Sequence, residues 1–286
     1  MTVHELAPAK INLGLSIQGK RDDGYHDILS IFQTVGICDE LVLSDEGDPG
    51  LSCDAPDVPT GQENLVLKTA RLIADAAGID CPLRFTLKKH IPVGAGLGGG
   101  SSDAAAVLRG LKRLYGPGTV SDSVTAKCAE RLGSDVPFLL SGGTAVVSGR
   151  GERIEPVAWP FDFIYVIVYP GFGVSTGWAY GRVREYSPGG SPYGEMLRDF
   201  QAGNARKEAV LAVLGNDFER IIFPEYPILR SVRDGLIEGG ADAAFLTGSG
   251  SSLAGVFDDG DLARRCAEEF QTRGFQSWAV RKTERV

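Results

Sequence analysis

A glycine-rich segment between a predicted strand and a predicted helix constrains the fold of this chain more than any other feature. Five of the seven residues from Gly94 to Gly100, here called the glycine loop, are glycine. Because glycine has no Cβ atom, such a run lets the backbone come close to a ligand. The unpaired N–H groups and the dipole of the following helix then favour an anion, most simply a phosphate. A tight turn alone would need only one or two glycines, so the loop indicates a phosphate site. We expect Ser101 or Ser102 to cap the helix.

Two common nucleotide-binding motifs do not fit this loop. A Walker A motif requires Lys followed by Ser or Thr after the last glycine, whereas Gly100 is followed by Ser-Ser-Asp. Gly94, Gly96 and Gly99 match G-x-G-x-x-G, but a dinucleotide fold also needs an acidic residue at the end of the next strand. The residues at that place, GTVSDSVT, read as the entry to a helix instead. The sequence therefore excludes both the Walker A motif and the dinucleotide-binding motif.

The rest of the chain divides into two mixed halves. The first is predicted to hold a strand over residues 3–17 broken at Pro8, two short strands within residues 28–44, and a helix from Asn64 to Gly78. A polar connection over residues 187–205 precedes a second half of helix, strand, glycine turn, strand, helix and strand. The segment WPFD at 159–162 indicates a boundary between the halves, and the buried strand FIYVIVY is predicted to follow it.

Composition excludes several classes of protein. Acidic residues outnumber basic ones by 37 to 29, so no nucleic-acid partner is expected. The longest apolar run, residues 163–169, is far too short for a membrane span, and five cysteines without a C-x-x-C spacing favour reduced thiols in a cytoplasmic protein. The three histidines are isolated from one another and predict no zinc site.

Three motifs carry a resemblance to a known family. They are PAKINLGL at 8–15, PVGAGLGGGSSDAAA at 92–106 and LTGSGSS at 246–252. In this order they resemble the three motifs of the GHMP small-molecule kinases, and the resemblance covers nearly the whole chain. Within that superfamily the sequence is most similar to the 4-diphosphocytidyl-2-C-methyl-D-erythritol kinase family, through GYH at 24–26, GSDVPF at 133–138 and PGFGVST at 170–176.

The resemblance implies an α+β protein with the two-domain GHMP kinase fold. An N-terminal, ATP-binding α/β domain like that of ribosomal protein S5 would span residues 1–155, and a ferredoxin-like α+β domain would span residues 156–286. The implied reaction moves the γ-phosphoryl group of ATP, with Mg²⁺, to a hydroxyl of a cytidine-diphosphate-linked small molecule and forms its 2-phosphate, a step of non-mevalonate isoprenoid synthesis. No membrane partner is expected, and the protein would be a monomer or a homodimer.

By the same resemblance, two residues would perform the chemistry. Asp135 would accept or orient the proton of the attacking hydroxyl, and Lys10 would lie beside it and compensate negative charge. From the residues alone, the structural interpretation is favoured for both, with Asp135 as a helix cap and Lys10 as a surface residue.

The nucleotide site is implied to lie along the glycine loop. Its residues would be Asn64, Pro92, Val93, Gly94, Ala95, Gly96, Leu97, Gly98, Gly99, Gly100, Ser101 and Ser102. Asn64 is explained equally well as the N-cap of the first long helix. Ser101 or Ser102 would contact Mg²⁺, while the spacing of Glu130, the nearest upstream glutamate, gives no support for a metal ligand.

The resemblance also implies an acceptor site. Tyr25, His26 and Tyr180 would bind the cytidine, Asn12 and Thr176 the diphosphate or the erythritol, and Gly248 and Gly250 would lie close to the transferred group. Trp178 competes with Tyr180 for the stacking role. Without the resemblance, the Tyr-His pair is an exposed turn and the Gly-Ser-Gly segment a hairpin turn.

Two alternative functions remain open from the sequence. One is a GHMP kinase for another alcohol, such as homoserine or a sugar, and the other is a catalytically silent ligand-binding protein on the same fold. Tyr25 and His26 argue against the first, because such a kinase has no cytidine to bind. Intact Lys10, Asp135 and glycine loop argue against the second.

Overall fold

Two long antiparallel strands at the N-terminus organise the first of two sheets. The structure is a computed structural model that describes residues 1–187, 196, 199 and 204–283. This sheet contains β1 (Thr2–Lys20), β2 (His26–Ser44), β3 (Gly50–Cys53), β4 (Arg84–Lys88), β5 (Thr144–Gly149), β6 (Arg153–Pro156) and β8 (Gly215–Asn216). Strand β1 pairs with β2 along nearly its whole length and, on its other edge, with β8 in parallel.

The second sheet has four strands, every neighbouring pair antiparallel. They are β7 (Ile164–Tyr169), β9 (Ala243–Leu246), β10 (Leu253–Phe257) and β11 (Gln276–Arg281). Their order across the sheet is β11-β7-β10-β9, which is 4-1-3-2 in order of appearance. This is the order of a ferredoxin-like sheet, and it confirms the predicted α+β class of the second half.

Helices cover both sheets. In the first half they are α1 (Leu65–Ala77), α2 (Gly99–Tyr115), α3 (Asp122–Leu132) and α4 (Val136–Ser141). In the second half they are α5 (Thr176–Gly181), α6 (Lys207–Leu211), α7 (Glu219–Glu225), α8 (Pro227–Glu238) and α9 (Gly260–Thr272). None of the helices that the structure describes is long and apolar enough to cross a membrane.

Strand β7 is buried on both faces, which explains its unbroken apolar sequence. Val166 and Val168 pack against the helices of the second half, whereas Ile167, on the opposite face, packs with Ile11 and Leu13 of β1. The second sheet therefore lies between its own helices and the first sheet. Since side chains alternate along a strand, the same packing turns the even-numbered residues of this part of β1 away from the second sheet.

Two strand predictions are wrong, and one helix prediction is confirmed. Strand β1 continues through Pro8, where the pairing register with β2 shifts by a bulge that accommodates the proline. Residues 28–44 belong to one strand, because β2 pairs with β1 throughout this stretch, although its two parts have different outer partners, β5 and β4. Helix α1 starts after Asn64, whose side chain accepts from the Val66 N–H, and stops at Gly78 with a φ of 65°. The polar connection predicted over 187–205 lies mostly outside the described residues.

The predicted boundary between residues 155 and 156 stays a prediction. It falls at the end of β6, between the first sheet and β7. The two halves are nevertheless interleaved, because β8 from the second half adds to the first sheet and Lys282 bridges to Val35 of β2.

Candidate active site

A cavity of about 1160 Å³ opens where the glycine loop, β1 and the turn at residues 247–250 meet. Nearly all the predicted site residues line it, and the two exceptions are Leu97 and Ser102. Leu97 is buried in the core between the sheets, and the Ser102 hydroxyl donates to the Pro8 carbonyl at 2.7 Å. The fold therefore gathers residues from most of the length of the chain around one space.

The glycine loop alternates between two backbone conformations. Gly94, Gly96 and Gly98 have φ values of 70°, 78° and 73°, a region that side-chain-bearing residues rarely adopt. The residues between them, Ala95 and Leu97, are buried in the core. In the pattern G-A-G-L-G, the side chains of Ala95 and Leu97 thus anchor the loop in the core, while the backbone of the three glycines lies at the cavity.

Gly96 brings the glycine loop into backbone contact with the second half. A Cβ atom at Gly96 would lie 2.5 Å from the Thr247 carbonyl oxygen and 2.9 Å from that of Gly250. The Ser252 N–H also donates to the Ala95 carbonyl at 3.1 Å. The loop and the turn at 247–250 are therefore held at a separation that leaves no room for a side chain.

Helix α2 begins three or four residues earlier than predicted. Gly98 occupies the N-cap position and makes no side-chain hydrogen bond, so the expectation that Ser101 or Ser102 caps the helix is wrong. The Ser102 N–H already donates to the Gly98 carbonyl at 2.9 Å. Within α2, the N–H groups of Gly99, Gly100 and Ser101 have no helical acceptor, and all three residues border the cavity. This is the geometry of a backbone anion site.

Lys10 projects from the buried part of β1 into the cavity. It is 5% exposed, so it is not a surface residue. Its Nζ donates to Asn12 Oδ1 at 2.7 Å, lies 3.5 Å from Asp135 Oδ2 and sits 4.6 Å from the centre of the Phe32 ring. Gly98 permits this approach, since a Cβ atom there would lie 3.0 Å from Lys10 Cγ.

Asp135 immediately precedes α4 but does not cap it. It occupies the N-cap position, yet its side chain accepts no capping hydrogen bond. The carboxylate borders the cavity and faces Lys10 instead. The structure therefore does not support the reading of Asp135 as a helix cap alone.

An aromatic site, formed by Tyr25, His26 and Tyr180, lines another part of the cavity. The rings of His26 and Tyr180 stack with their centres 5.0 Å apart and their planes inclined by 22°. Burial, with the charge of Lys20, lowers the pKa of His26, so its neutral ring offers one donor and one acceptor. Burial, with the charge of Asp135, raises the pKa of Tyr180 to about 12.

Of the two residues considered for stacking on the cytosine, Tyr180 lines the cavity and Trp178 does not. Trp178 is absent from the cavity lining and packs against Tyr226, with the Arg182 guanidinium 4.0 Å from its ring centre. Tyr25, by contrast, is 54% exposed at the cavity. Its ring therefore has surface available for a planar ligand.

Asn12 and Thr176 are tied to the turn at residues 247–250. The Asn12 N–H donates to Thr247 Oγ1 at 3.1 Å, and the hydroxyls of Thr176 and Ser249 share a hydrogen bond of 2.9 Å. The Asn12 amide also donates to Ser30 Oγ at 2.9 Å. These contacts tie Asn12, the partner of Lys10, and Thr176 to the same turn.

Asn64 serves as a helix cap and also borders the cavity. Its Oδ1 accepts from the Val66 N–H at 2.8 Å, and its Nδ2 donates to the Pro59 carbonyl at 2.7 Å. Both polar ends of the side chain thus have protein partners.

Sequence reasoning missed a buried ionic cluster beneath the glycine loop. Lys89 donates to Asp39 and, at 2.7 Å, to Asp103, and all three side chains are less than 8% exposed. Burial and the charge of Asp39 raise the pKa of Asp103 to about 7, against the opposing charge of Lys89. Burial alone lowers the pKa of Lys89, but the two carboxylates outweigh it and the pKa is raised. Lys89 and Asp103 border the cavity. Asp103 lies within the family motif at 92–106, and this position could have identified it as a site residue from the sequence.

A second missed residue is Arg150. It borders the cavity, and its guanidinium lies 5.4 Å from the centre of the Tyr25 ring. In the sequence, Arg150 could have been noticed because it lies between two glycines, Gly149 and Gly151, and both of them have a positive φ in the structure.

The two serines proposed for Mg²⁺ differ in accessibility. Ser101 borders the cavity, whereas Ser102 is fully buried and Glu130 is not among the lining residues. Across the described parts of the chain, no three Asp, Glu, His or Cys side chains converge to hold a metal ion.

Comparisons with known proteins identify the family of the chain. The family model for the GHMP kinases N terminal domain matches residues 64–143, and the model for GHMP kinases C terminal matches residues 196–276. The 4-diphosphocytidyl-2-C-methyl-D-erythritol kinase of Prosthecochloris aestuarii is 40% identical over 265 residues, which is 92% of each chain.

Solved structures extend the comparison. A crystal structure of 4-(cytidine 5'-diphospho)-2C-methyl-D-erythritol kinase is 36% identical, has a TM-score of 0.81, and the match covers 98% of this chain and 99% of that one. Homoserine kinase from Cytophaga hutchinsonii superposes with a TM-score of 0.76 at 17% identity, covering 99% and 95% of the two chains, and it shows a shared fold alone. The domain models and the full-length relatives together show that this chain belongs to the GHMP kinase family and, within it, to the 4-diphosphocytidyl-2-C-methyl-D-erythritol kinase family.

Proposed function

We propose that this chain phosphorylates the 2-hydroxyl of 4-diphosphocytidyl-2-C-methyl-D-erythritol in non-mevalonate isoprenoid synthesis. One observation carries the proposal: a single cavity is lined by the Lys10–Asp135 pair, the glycine loop and the aromatic site. Gly98 touches Lys10, and the charge of Asp135 reaches Tyr180. As a member of a kinase family, the chain uses ATP as its phosphoryl donor and acts on a small molecule.

The glycine loop would bind the ATP phosphates through its backbone. The N–H groups of Gly99, Gly100 and Ser101 are available at the start of α2, where the helix dipole favours negative charge. A chain with a net charge of −8 can then hold polyphosphates without a cluster of lysines. The base would lie toward Asn64 and Pro92, which border the same cavity.

Lys10 and Asp135 would act on the acceptor hydroxyl and the transferred group. Phosphoryl transfer asks a protein mainly for positioning and charge stabilisation. Asp135 Oδ2 would accept the hydroxyl proton, and Lys10 Nζ, 3.5 Å away, would stabilise the carboxylate and then the charge that develops on the phosphoryl oxygens. Asn12 orients Lys10 by accepting its hydrogen bond at 2.7 Å.

The aromatic site would recognise the cytidine. Tyr25 and Tyr180 offer ring faces for the cytosine, and neutral His26 offers a donor and an acceptor to its polar edge. This site also argues against homoserine or a sugar as the acceptor, since neither has a base that would use it.

The donor set fits a magnesium ion that is bound largely through nucleotide phosphates. Mg²⁺ usually keeps several waters and takes one or two protein ligands beside substrate phosphates. Ser101 Oγ at the cavity would be one such ligand. The ion would neutralise phosphate charge during transfer.

An ADP-release assay on the purified chain tests this function. We expect turnover with 4-diphosphocytidyl-2-C-methyl-D-erythritol and none with mevalonate, homoserine or galactose. Turnover with one of the other alcohols alone would reject the substrate. Nucleotide binding without turnover on any acceptor would favour the silent ligand-binding alternative.

A further inference from the structure

The turn at residues 247–250 presents its central peptide to the cavity in one of two orientations. The Gly250 N–H donates to the Thr247 carbonyl at 3.0 Å, which closes a β-turn around Gly248 and Ser249. Gly248 has a φ of 58° and Ser249 has no positive φ, which is the pattern of a type II′ turn. A flip of the central peptide would give a type I′ turn, which also needs a positive φ at Ser249. One orientation exposes the Gly248 carbonyl oxygen and the other exposes the Ser249 N–H.

Asn216 selects between these orientations. Its Nδ2 donates to the Gly248 carbonyl at 2.7 Å and to the Leu246 carbonyl at 2.8 Å, while its Oδ1 accepts from the Phe218 N–H at 2.9 Å. Asn216 is 8% exposed and is not among the cavity-lining residues, so it lies behind the turn.

The hydrogen bond to Gly248 fixes where the next N–H points. In a trans peptide the carbonyl and the following N–H lie on opposite sides. The Gly248 oxygen faces Asn216, so the Ser249 N–H faces away from Asn216, toward the cavity that Ser249 borders. Among the described residues, this N–H has no acceptor. The turn itself is close to Asn12, since a Cβ atom at Gly248 would lie 3.7 Å from Asn12 Oδ1.

We propose that Asn216 is a positioning residue that holds the Ser249 N–H toward a phosphate oxygen of the bound substrates beside Lys10. The inference rests on the proposed kinase function. Without the Asn216 amide, the flipped turn would present the Gly248 carbonyl oxygen to the same anion and repel it. The effect therefore reaches the reaction through the turn, and Asn216 itself touches no substrate.

The decisive variant is Asn216→Asp, which is nearly the same shape. Its carboxylate still accepts from the Phe218 N–H but cannot donate to Gly248 while ionised. We expect kcat to fall about 10- to 100-fold at about pH 8, with the KM for ATP within about 3-fold of wild type. The same change at exposed Asn204, Asn204→Asp, is the matched control and should leave both constants unchanged.

The pH dependence of activity distinguishes this role from a merely structural defect, which acidification would not repair. A protonated carboxyl donates one hydrogen bond again, so the activity of Asn216→Asp relative to wild type should recover at about pH 6. The charged neighbours are Asp217, which accepts from the Ile17 N–H, and Glu219, which accepts from the Leu246 N–H and is paired with Arg233. Measuring wild type at each pH removes their contribution.

A second variant keeps the inference testable if Asn216→Asp does not fold. Asn216→Ala adds no charge, removes both donations and should lower kcat about 10-fold. Wild-type kcat in both variants, or a loss in the Asp variant that does not recover in acid, would overturn the inference. An inactive wild-type chain would instead reject the proposed function, so the two failures are distinguishable.

Discussion

Lys10 Nζ lies 3.5 Å from Asp135 Oδ2, which joins a buried strand residue to a residue at the start of a short helix. Lys10 is held by Asn12 and by the face of Phe32. Asp135 has no capping role that would occupy its carboxylate. The pair is therefore arranged for a ligand more than for the stability of α4, and this has consequences that can be measured.

Asp135→Asn should abolish most turnover while leaving nucleotide binding intact. Asn cannot accept the hydroxyl proton, and loss of a general base costs about 10²- to 10⁴-fold in kcat. We expect a KM for ATP within about 3-fold of wild type, measured by coupled ADP release. Asp75→Asn, on the exposed side of α1, is the control. A kcat close to wild type would remove Asp135 from the reaction.

Gly96→Ala should separate the glycine loop from the turn at residues 247–250. The added Cβ would lie 2.5 Å from the Thr247 carbonyl oxygen, at a φ of 78°. Backbone atoms cannot yield as a flexible side chain does, so we expect a melting temperature lower by several degrees and a KM for ATP raised about 10-fold or more. Gly118→Ala has open space around the new Cβ and no positive φ. Equal behaviour of the two variants would refute the close-contact argument.

The glycine loop and the order of elements in the second half were predictable because they depend on local patterns. Glycine spacing and apolar periodicity are visible in a single sequence, and both lead to the observed strand, loop and helix. The starting residue of α2 was not predictable in this way. Ser101 and Ser102 look like caps, but the positive φ of Gly98 turns the chain into the helix before either is reached.

Features that depend on distant partners were the ones missed. The continuity of β2 follows from its pairing with the equally long β1, and its outer neighbours, β4 and β5, are far apart in the chain. The cluster of Asp39, Lys89 and Asp103 likewise exists only once the two strands and α2 pack together. Each of these residues by itself looks like an exposed charge.

Tyr25→Ala should weaken acceptor binding selectively. Loss of a stacking ring costs about 1–3 kcal/mol per base, so we expect the KM for the cytidine-linked substrate to rise about 5- to 100-fold, with the KM for ATP unchanged. Trp178→Ala is the matched control, since it also removes an aromatic ring and Trp178 packs on Tyr226 outside the cavity. If the Trp178 variant instead showed the larger rise, the stacking role would belong to Trp178.

Asp103→Asn should change how stability depends on pH. Burial and the charge of Asp39 raise the pKa of Asp103 to about 7, although Lys89 opposes them. A carboxyl whose pKa is raised on folding stabilises the protein fully below its unfolded value of 3.8, and that contribution is lost as the pH rises to about 7. The variant has no such proton to lose. Its melting temperature relative to wild type should therefore increase between about pH 5 and pH 8, as followed by circular dichroism. Exposed Asp122→Asn is the control, and a difference independent of pH would show that Asp103 is ionised throughout this range.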